Sequence, residues 1–135
     1  MKINSKKKVF WVVFLSLIAI VGVVFGYYLS GVISYQNKVK NTIIAEVDIA
    51  EIPDGVYVGE YDVGFIYAKV SVSVFGGKIT ELDIIEHRHE HGEAAEKIID
   101  DILERQKIDV DAVTGATNSS TVIKKAVENA VLGYN

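Results

Sequence analysis

Read as a pattern of apolar and polar positions, the chain changes character twice. Residues 9–29, VFWVVFLSLIAIVGVVFGYYL, run without a charge, and a stretch of that length predicts one bilayer-crossing helix. Lys2, Lys6, Lys7 and Lys8 precede it, whereas only Lys38 and Lys40 follow closely. That asymmetry predicts residues 1–8 as a cytoplasmic basic tail, 9–33 as a transmembrane signal anchor, and the remainder as extracytoplasmic. Trp11, Tyr27 and Tyr28 stand near the two ends, where aromatic belts form. The apolar run exceeds the core of a cleavable signal peptide, and no Ala-x-Ala site follows it. Residues 34–52 carry Val39, Ile43, Ile44 and Val47 at helical spacing. They read as a stalk, in which the membrane helix continues outward until Pro53 stops it.

From residue 53 to 135 the pattern is that of a folded domain. Residues 56–61 form a short strand rich in Tyr and Val, with Gly59 inside it. Ile66, Ala68, Val70, Val72 and Val74 alternate with Tyr67, Lys69, Ser71 and Ser73, as in a half-buried strand. Gly76-Gly77 predicts a tight hairpin, and the apolar positions Ile79, Leu82 and Ile84 slip by one, which predicts a bulge in the returning strand. Two helical stripes follow: Ala94, Ala95, Ile98, Ile99, Ile102 and Leu103, then Val122, Ile123, Ala126, Val127, Ala130 and Val131. Between them residues 108–113 read as extended, and Gly133 as the stop of the last helix. The order β-β-β-α-β-α predicts an α+β fold: an antiparallel meander with two amphipathic helices on one face, preceded by one transmembrane helix.

Composition narrows the function. Among 135 residues there is no cysteine, so disulfides, thiolate metal sites and a lipid anchor on cysteine are excluded. All 18 acidic residues lie from Glu46 onward against eight of the 14 basic ones, leaving that part near −10. Such a field disfavours nucleic acid and anionic lipid as partners. Any anion held there depends on local donors, with Lys124 and Lys125 the cations nearest in sequence to the loop described next.

The chemistry concentrates in Asp111-Ala112-Val113-Thr114-Gly115-Ala116-Thr117-Asn118-Ser119. Gly115 and Ala116 let the backbone turn sharply and another molecule approach. Ser119 or Ser120 is a natural N-cap for the final helix, expected over residues 120–132. A small-residue turn at a helix N-terminus offers free N–H groups and a positive dipole end, which suits a phosphate. An ordinary capped loop, with Asp111 making an Asx-turn, is the plainer alternative.

The same residues carry a resemblance. Asp-x-x-Thr-Gly-Ala-Thr-x-Ser resembles the flavinylation motif of the FMN-binding domain of the sodium-translocating NADH:quinone oxidoreductase C subunit and the Rnf complex G subunit. Asp54-Gly55-Val56-Tyr57-Val58-Gly59 is similar to the opening strand of those domains, and the resemblance runs through Gly77-Lys78-Ile79-Thr80 to residues 122–132, covering about Ile52 to the C-terminus. The resemblance implies FMN as cofactor, esterified through its phosphate to Thr117. It also implies a loop formed by Asp111, Thr114, Gly115, Ala116, Asn118 and Ser119 around the attachment point. The implied partners are a flavin transferase using FAD and a divalent metal, and a membrane redox donor such as a quinone-linked or NADH-linked dehydrogenase. A lipid bilayer would hold the anchor. No substrate-handling group accompanies the motif, so an electron-transfer protein or subunit is expected rather than a stand-alone enzyme. Tyr57, Tyr61, Phe65 and Tyr67 are the aromatics available to cradle the isoalloxazine ring.

A second constellation is Glu86-His87-Arg88-His89-Glu90-His91-Gly92-Glu93. In an extended chain His87, His89 and His91 point the same way and could bind zinc or copper, although the spacing is not a standard zinc pattern. The alternative function is therefore a non-redox exported binding module using these three histidines. At this point the resembled family has a Thr-Pro-Gly-x-Gly loop bordering the flavin, of which this chain keeps only Gly92.

Overall fold

The computed structural model describes residues 4–89 and 91–133. Residues 1–34 and 35–135 form two compact units. The first unit is helical, part of α1 (Ser5–Asn41), whose residues 9–29 are all exposed. Among the described residues α1 is the one helix long and apolar enough to cross a membrane. Phe10 stacks on Phe14 one turn later, and Trp11 meets both edge-on.

The second unit holds a three-stranded antiparallel sheet in the order β1-β2-β3, with β1 Gly55–Asp62, β2 Tyr67–Phe75 and β3 Lys78–Arg88. Along β2 the alternation is realised: Ala68, Val70, Val72 and Val74 are buried, and the intervening residues are not. Gly76 (φ 60°) and Gly77 (φ 73°) make the hairpin, because both central positions need a left-handed backbone. The expected bulge occurs twice. Val74 pairs with Ile79 and Ser73 with Glu81, so Thr80 is extra; Val70 pairs with Ile84 and Lys69 with Glu86, so Ile85 is extra. The first slip returns Leu82 and Ile84 to the inner face, and the second leaves Ile85 outside and turns His87 inward opposite Ala68.

A 3-10 turn, Glu93–Lys97, runs directly into α2 (Ile98–Arg105), which buries Ala95, Ile98 and Ile102. The last helix, α3 (Thr117–Leu132), buries all six residues of its expected stripe and ends at Gly133 (φ 74°). It lies so close to β1 that a Cβ on Gly59 would overlap the backbone of Ala126 and Ala130. Small residues on both sides are thus what brings α3 onto the sheet.

Three expectations need correction. Residues 108–113 form no strand: Val110 N–H turns back to Ile108 O at 2.9 Å, Lys124 Nζ donates to Val110 O at 2.8 Å, and Val113 N–H donates to Ser120 Oγ at 3.0 Å. The helix entering the stalk ends at Asn41, well before Pro53, where Thr42 Oγ1 meets Lys38 O and the Tyr61 hydroxyl. Residues 34–52 also do more than space: Val39 and Ile49 are core residues, and Tyr35, Ile44, Val47 and Ile52 pack against the core. Buried Glu128 fastens this segment, accepting from Ala45 N–H (2.8 Å) and from Lys125 Nζ (2.7 Å).

Candidate functional site

The loop leading into α3 is built from its smallest residues. Gly115 (φ 81°) takes the left-handed conformation, and Ala116 N–H donates to Val113 O at 2.9 Å, closing the turn. The turn ends at Ala116, so α3 begins at Thr117, three residues earlier than the hydroxyl pattern suggested. Ser119 and Ser120 are therefore not caps. Both are buried, Ser119 against Gly92 and Ser120 as the acceptor for Val113 N–H. The cap position belongs to Ala116, which has no side-chain acceptor. Ser120 N–H makes the first intrahelical bond, to Ala116 O at 2.9 Å. The N–H groups of Thr117, Asn118 and Ser119 consequently have no acceptor among the described residues, which leaves three donors free for water or an anion.

These donors open into a cavity of about 370 Å³, within the size range of small-molecule sites. Gly115, Ala116, Thr117, Asn118 and Ser119 form one side of it. Tyr35, Phe65 and Ile66 form an apolar side, and His91 with Gly92 closes the rim. The Tyr35 and Phe65 rings meet at 5.2 Å between centroids with 59° between planes. Phe65 is presented by a tight turn in which Val63 N–H donates to Ile66 O and Gly64 N–H to Asp62 Oδ1. Thr117, Asn118 and Thr121 also border a second cavity of about 510 Å³, shared with Gln36, Val39, Lys40 and Thr42. Thr117 is exposed and touches both spaces.

The expected site residues separate under this geometry. Thr117, Gly115, Ala116, Asn118 and Ser119 come together around the cavity; Thr114 is exposed at the turn, and Asp111 is exposed and makes no Asx-turn among the described residues. Of the four aromatics only Phe65 lines the cavity. Tyr57 donates to Pro53 O (2.6 Å), and Tyr61 meets Thr42. Tyr67 donates to Glu60 (2.7 Å) under the Arg88 guanidinium, and that hydrogen bond to a carboxylate leads the causes pushing its pKa up to about 12. Lys124 and Lys125 do not reach the loop. Lys124 is buried on Asp109 (2.8 Å) and Val110 O, while Lys125 donates to Ile43 O and Glu128. Among the described residues, Lys40 is the one Lys or Arg bordering either cavity. Sequence reading missed Tyr35 and Lys40. The signal available was Tyr35 and Val39 one helical turn apart, which marks an inward face in a segment read as spacer.

The histidines divide as well. His91 borders the cavity, whereas His87 and His89 pack together with ring centroids 4.4 Å apart. His87 Nδ1 lies 3.1 Å from Glu96 Oε1. Burial, opposed by Glu96 and aided by His89, holds the His87 pKa below its ordinary 6.5.

The chain is thus an α+β module in which the uncapped start of α3 faces a cavity with Tyr35 and Phe65 on its wall. Residues 63–132 match the FMN-binding domain family, and the chain belongs to that family; its cofactor is FMN. No curated protein matches the chain. The matched segment contains Phe65, His91, Gly92 and the whole of the loop and α3, but not Tyr35 or Lys40.

Proposed function

We propose that this chain is a membrane-anchored carrier of covalently attached FMN, joined by a phosphoester to Thr117, which relays electrons in a membrane-linked redox chain outside the cytoplasm. The observation that carries this reading is the position of Thr117. Its hydroxyl is exposed at the first turn of a helix whose leading N–H groups lack acceptors, between a cavity with an aromatic wall and one bordered by Lys40. The residues fit the group: Thr117, Asn118 and Ser119 N–H and Lys40 face its charge, and Tyr35, Phe65 and Ile66 face its ring.

Attachment is a phosphoryl transfer. The Thr117 oxygen bonds to the FMN-side phosphorus of FAD, the pyrophosphate P–O bond breaks, and AMP leaves with the electron pair. A threonine hydroxyl is a weak nucleophile, and nothing hydrogen-bonds to Thr117 Oγ1 among the described residues. A base to take its proton and a divalent metal to polarise the pyrophosphate belong to a flavin transferase. The chain contributes a slim loop that can enter the transferase, where exposed Asp111 and Thr114 are available for recognition. Once bound, flavin supplies one- and two-electron redox chemistry. The donor in this reading is a quinone-linked or NADH-linked dehydrogenase in the same membrane.

Intact-mass spectrometry after co-expression with a flavin transferase tests the reading. One FMN adduct per chain, absent in Thr117→Ala, is expected. An adduct that persists in Thr117→Ala refutes the attachment site, and colour released on denaturation refutes the covalent bond.

A further inference from the structure

The end of β3 carries a group of side chains that flavin binding does not use. His87 and His89 stand two residues apart with their rings in contact, and the 3-10 turn at Glu93–Lys97 brings Glu96 back onto them. One nitrogen or oxygen from each of the three lies within 4.8 Å of the others. The His87 side chain is 1% exposed. Its Nδ1 is satisfied by Glu96, but its Nε2 is buried with no partner among the described residues. His91, the third histidine of the sequence motif, lies apart on the cavity rim, and Glu96 takes its place in the cluster.

We propose that His87, His89 and Glu96 bind one divalent transition-metal ion, Zn²⁺ foremost, adjoining the flavin cavity. Two imidazoles and a carboxylate are the borderline nitrogen–oxygen set that takes Zn²⁺, Cu²⁺ or Ni²⁺ in preference to Mg²⁺ or Ca²⁺, which favour oxygen shells. Two ligands at about 2.0–2.1 Å from a tetrahedral ion stand roughly 3.4 Å apart. The 3.1 Å separation of His87 Nδ1 and Glu96 Oε1 is close to such an edge, so an ion held there takes Nδ1 in place of a proton and leaves Nε2 outside its shell. Three protein ligands leave one position for water.

Coordination also acts on the flavin cavity. Gly92 N–H donates to His89 Nδ1 at 2.9 Å, and a neutral imidazole has a single nitrogen lone pair. A metal on either nitrogen of His89 therefore ends the Gly92 hydrogen bond. Gly92 lies on the cavity rim against Ser119, so metal occupancy and rim geometry are linked.

The test uses the full-length chain in detergent, flavin-free and stripped with chelator, titrated with Zn²⁺ against a chromophoric competitor. Saturable 1:1 binding is expected, unaffected by excess Mg²⁺, weakened at least tenfold by His89→Gln and by Glu96→Gln, and unchanged by His91→Ala. Glu96→Gln retains an acceptor for His87, and matching far-UV circular dichroism confirms that each variant is folded. A Zn²⁺-dependent shift of the Gly92 amide resonance is expected in the wild type and in His91→Ala, and is expected to be lost in His89→Gln. Absence of saturable binding, binding indifferent to both Gln variants, or binding lost in His91→Ala overturns the proposal. Because no flavin is present, these readouts are separate from whether Thr117 carries FMN.

Discussion

Five hydroxyl residues surround the entrance to α3, and their surroundings distinguish them. Ser120 is fully buried and accepts from Val113 N–H, Ser119 is buried against Gly92, and Thr121 donates to Thr117 O at 3.0 Å. Thr114 and Thr117 are exposed, and only Thr117 stands at the helix N-terminus and borders both cavities. Flavinylation is accordingly expected to survive Thr114→Ala and Thr117→Ser and to vanish in Thr117→Ala, read as in-gel flavin fluorescence after denaturation. Lys40→Gln removes the cation bordering the second cavity, and slower flavinylation is expected, with a rate that depends less on salt than the wild type's. The Asp-x-x-Thr-Gly-Ala-Thr-x-Ser spacing made Thr117 legible without coordinates. Lys124 and Lys125 show why the rest was not. Proximity in sequence suggested them as phosphate ligands, but helical geometry turns Lys124 inward to Asp109 and Lys125 toward Ile43, away from the loop.

At the scale of elements, α3 is held at one point by shape and at another by charge. A Cβ on Gly59 would overlap backbone atoms of α3, which no rotamer change relieves. Gly59→Ala is expected to cost about 1–3 kcal/mol or more, seen as a lowered urea midpoint. Glu128 is 2% exposed and joins Ala45 N–H to Lys125. Glu128→Ala removes both hydrogen bonds of a buried carboxylate whose donors, Ala45 N–H and Lys125, stay within reach of water, for an expected loss of about 1–3 kcal/mol, with hydrogen exchange rising first around Ala45. The end of β3 supplies a pH dependence. The folded state holds the His87 pKa below 6.5, chiefly by burial, so the unfolded chain takes the proton first as pH falls. Stability is therefore full above the unfolded pKa and declines below it, until the folded imidazole also protonates. In chelator, the melting temperature should fall between pH 8 and pH 5.5, and less so in His87→Gln. The meander, hairpin and bulge were legible because period-2 alternation and Gly-Gly are local signals. The fate of residues 108–113 was not, since an apolar alternation there reads as a strand whether its backbone meets a sheet or the side chains of Lys124 and Ser120.

For the whole molecule, the proposed anchor makes a prediction about which side of the membrane the flavin domain occupies. The physical argument is the charge asymmetry about residues 9–29: four lysines before the apolar run against Lys38 and Lys40 soon after it. Lysine near a span resists translocation, whereas acidic residues contribute little, so the 18 carboxylates beyond residue 45 neither help nor oppose export. Family membership is silent on this point, because residues 63–132 hold the matched domain and exclude α1. The absence of cysteine makes the measurement clean, since a single introduced thiol is the only one in the chain. Ser5→Cys and Glu104→Cys replace exposed residues at the start of α1 and on α2. On intact cells a membrane-impermeant maleimide is expected to label Glu104→Cys and to spare Ser5→Cys until the membrane is permeabilised. The opposite pattern would place Thr117 in the cytoplasm. There free FMN could refill a vacated site, and a covalent link would lose its main physical advantage, that a tethered cofactor cannot diffuse away.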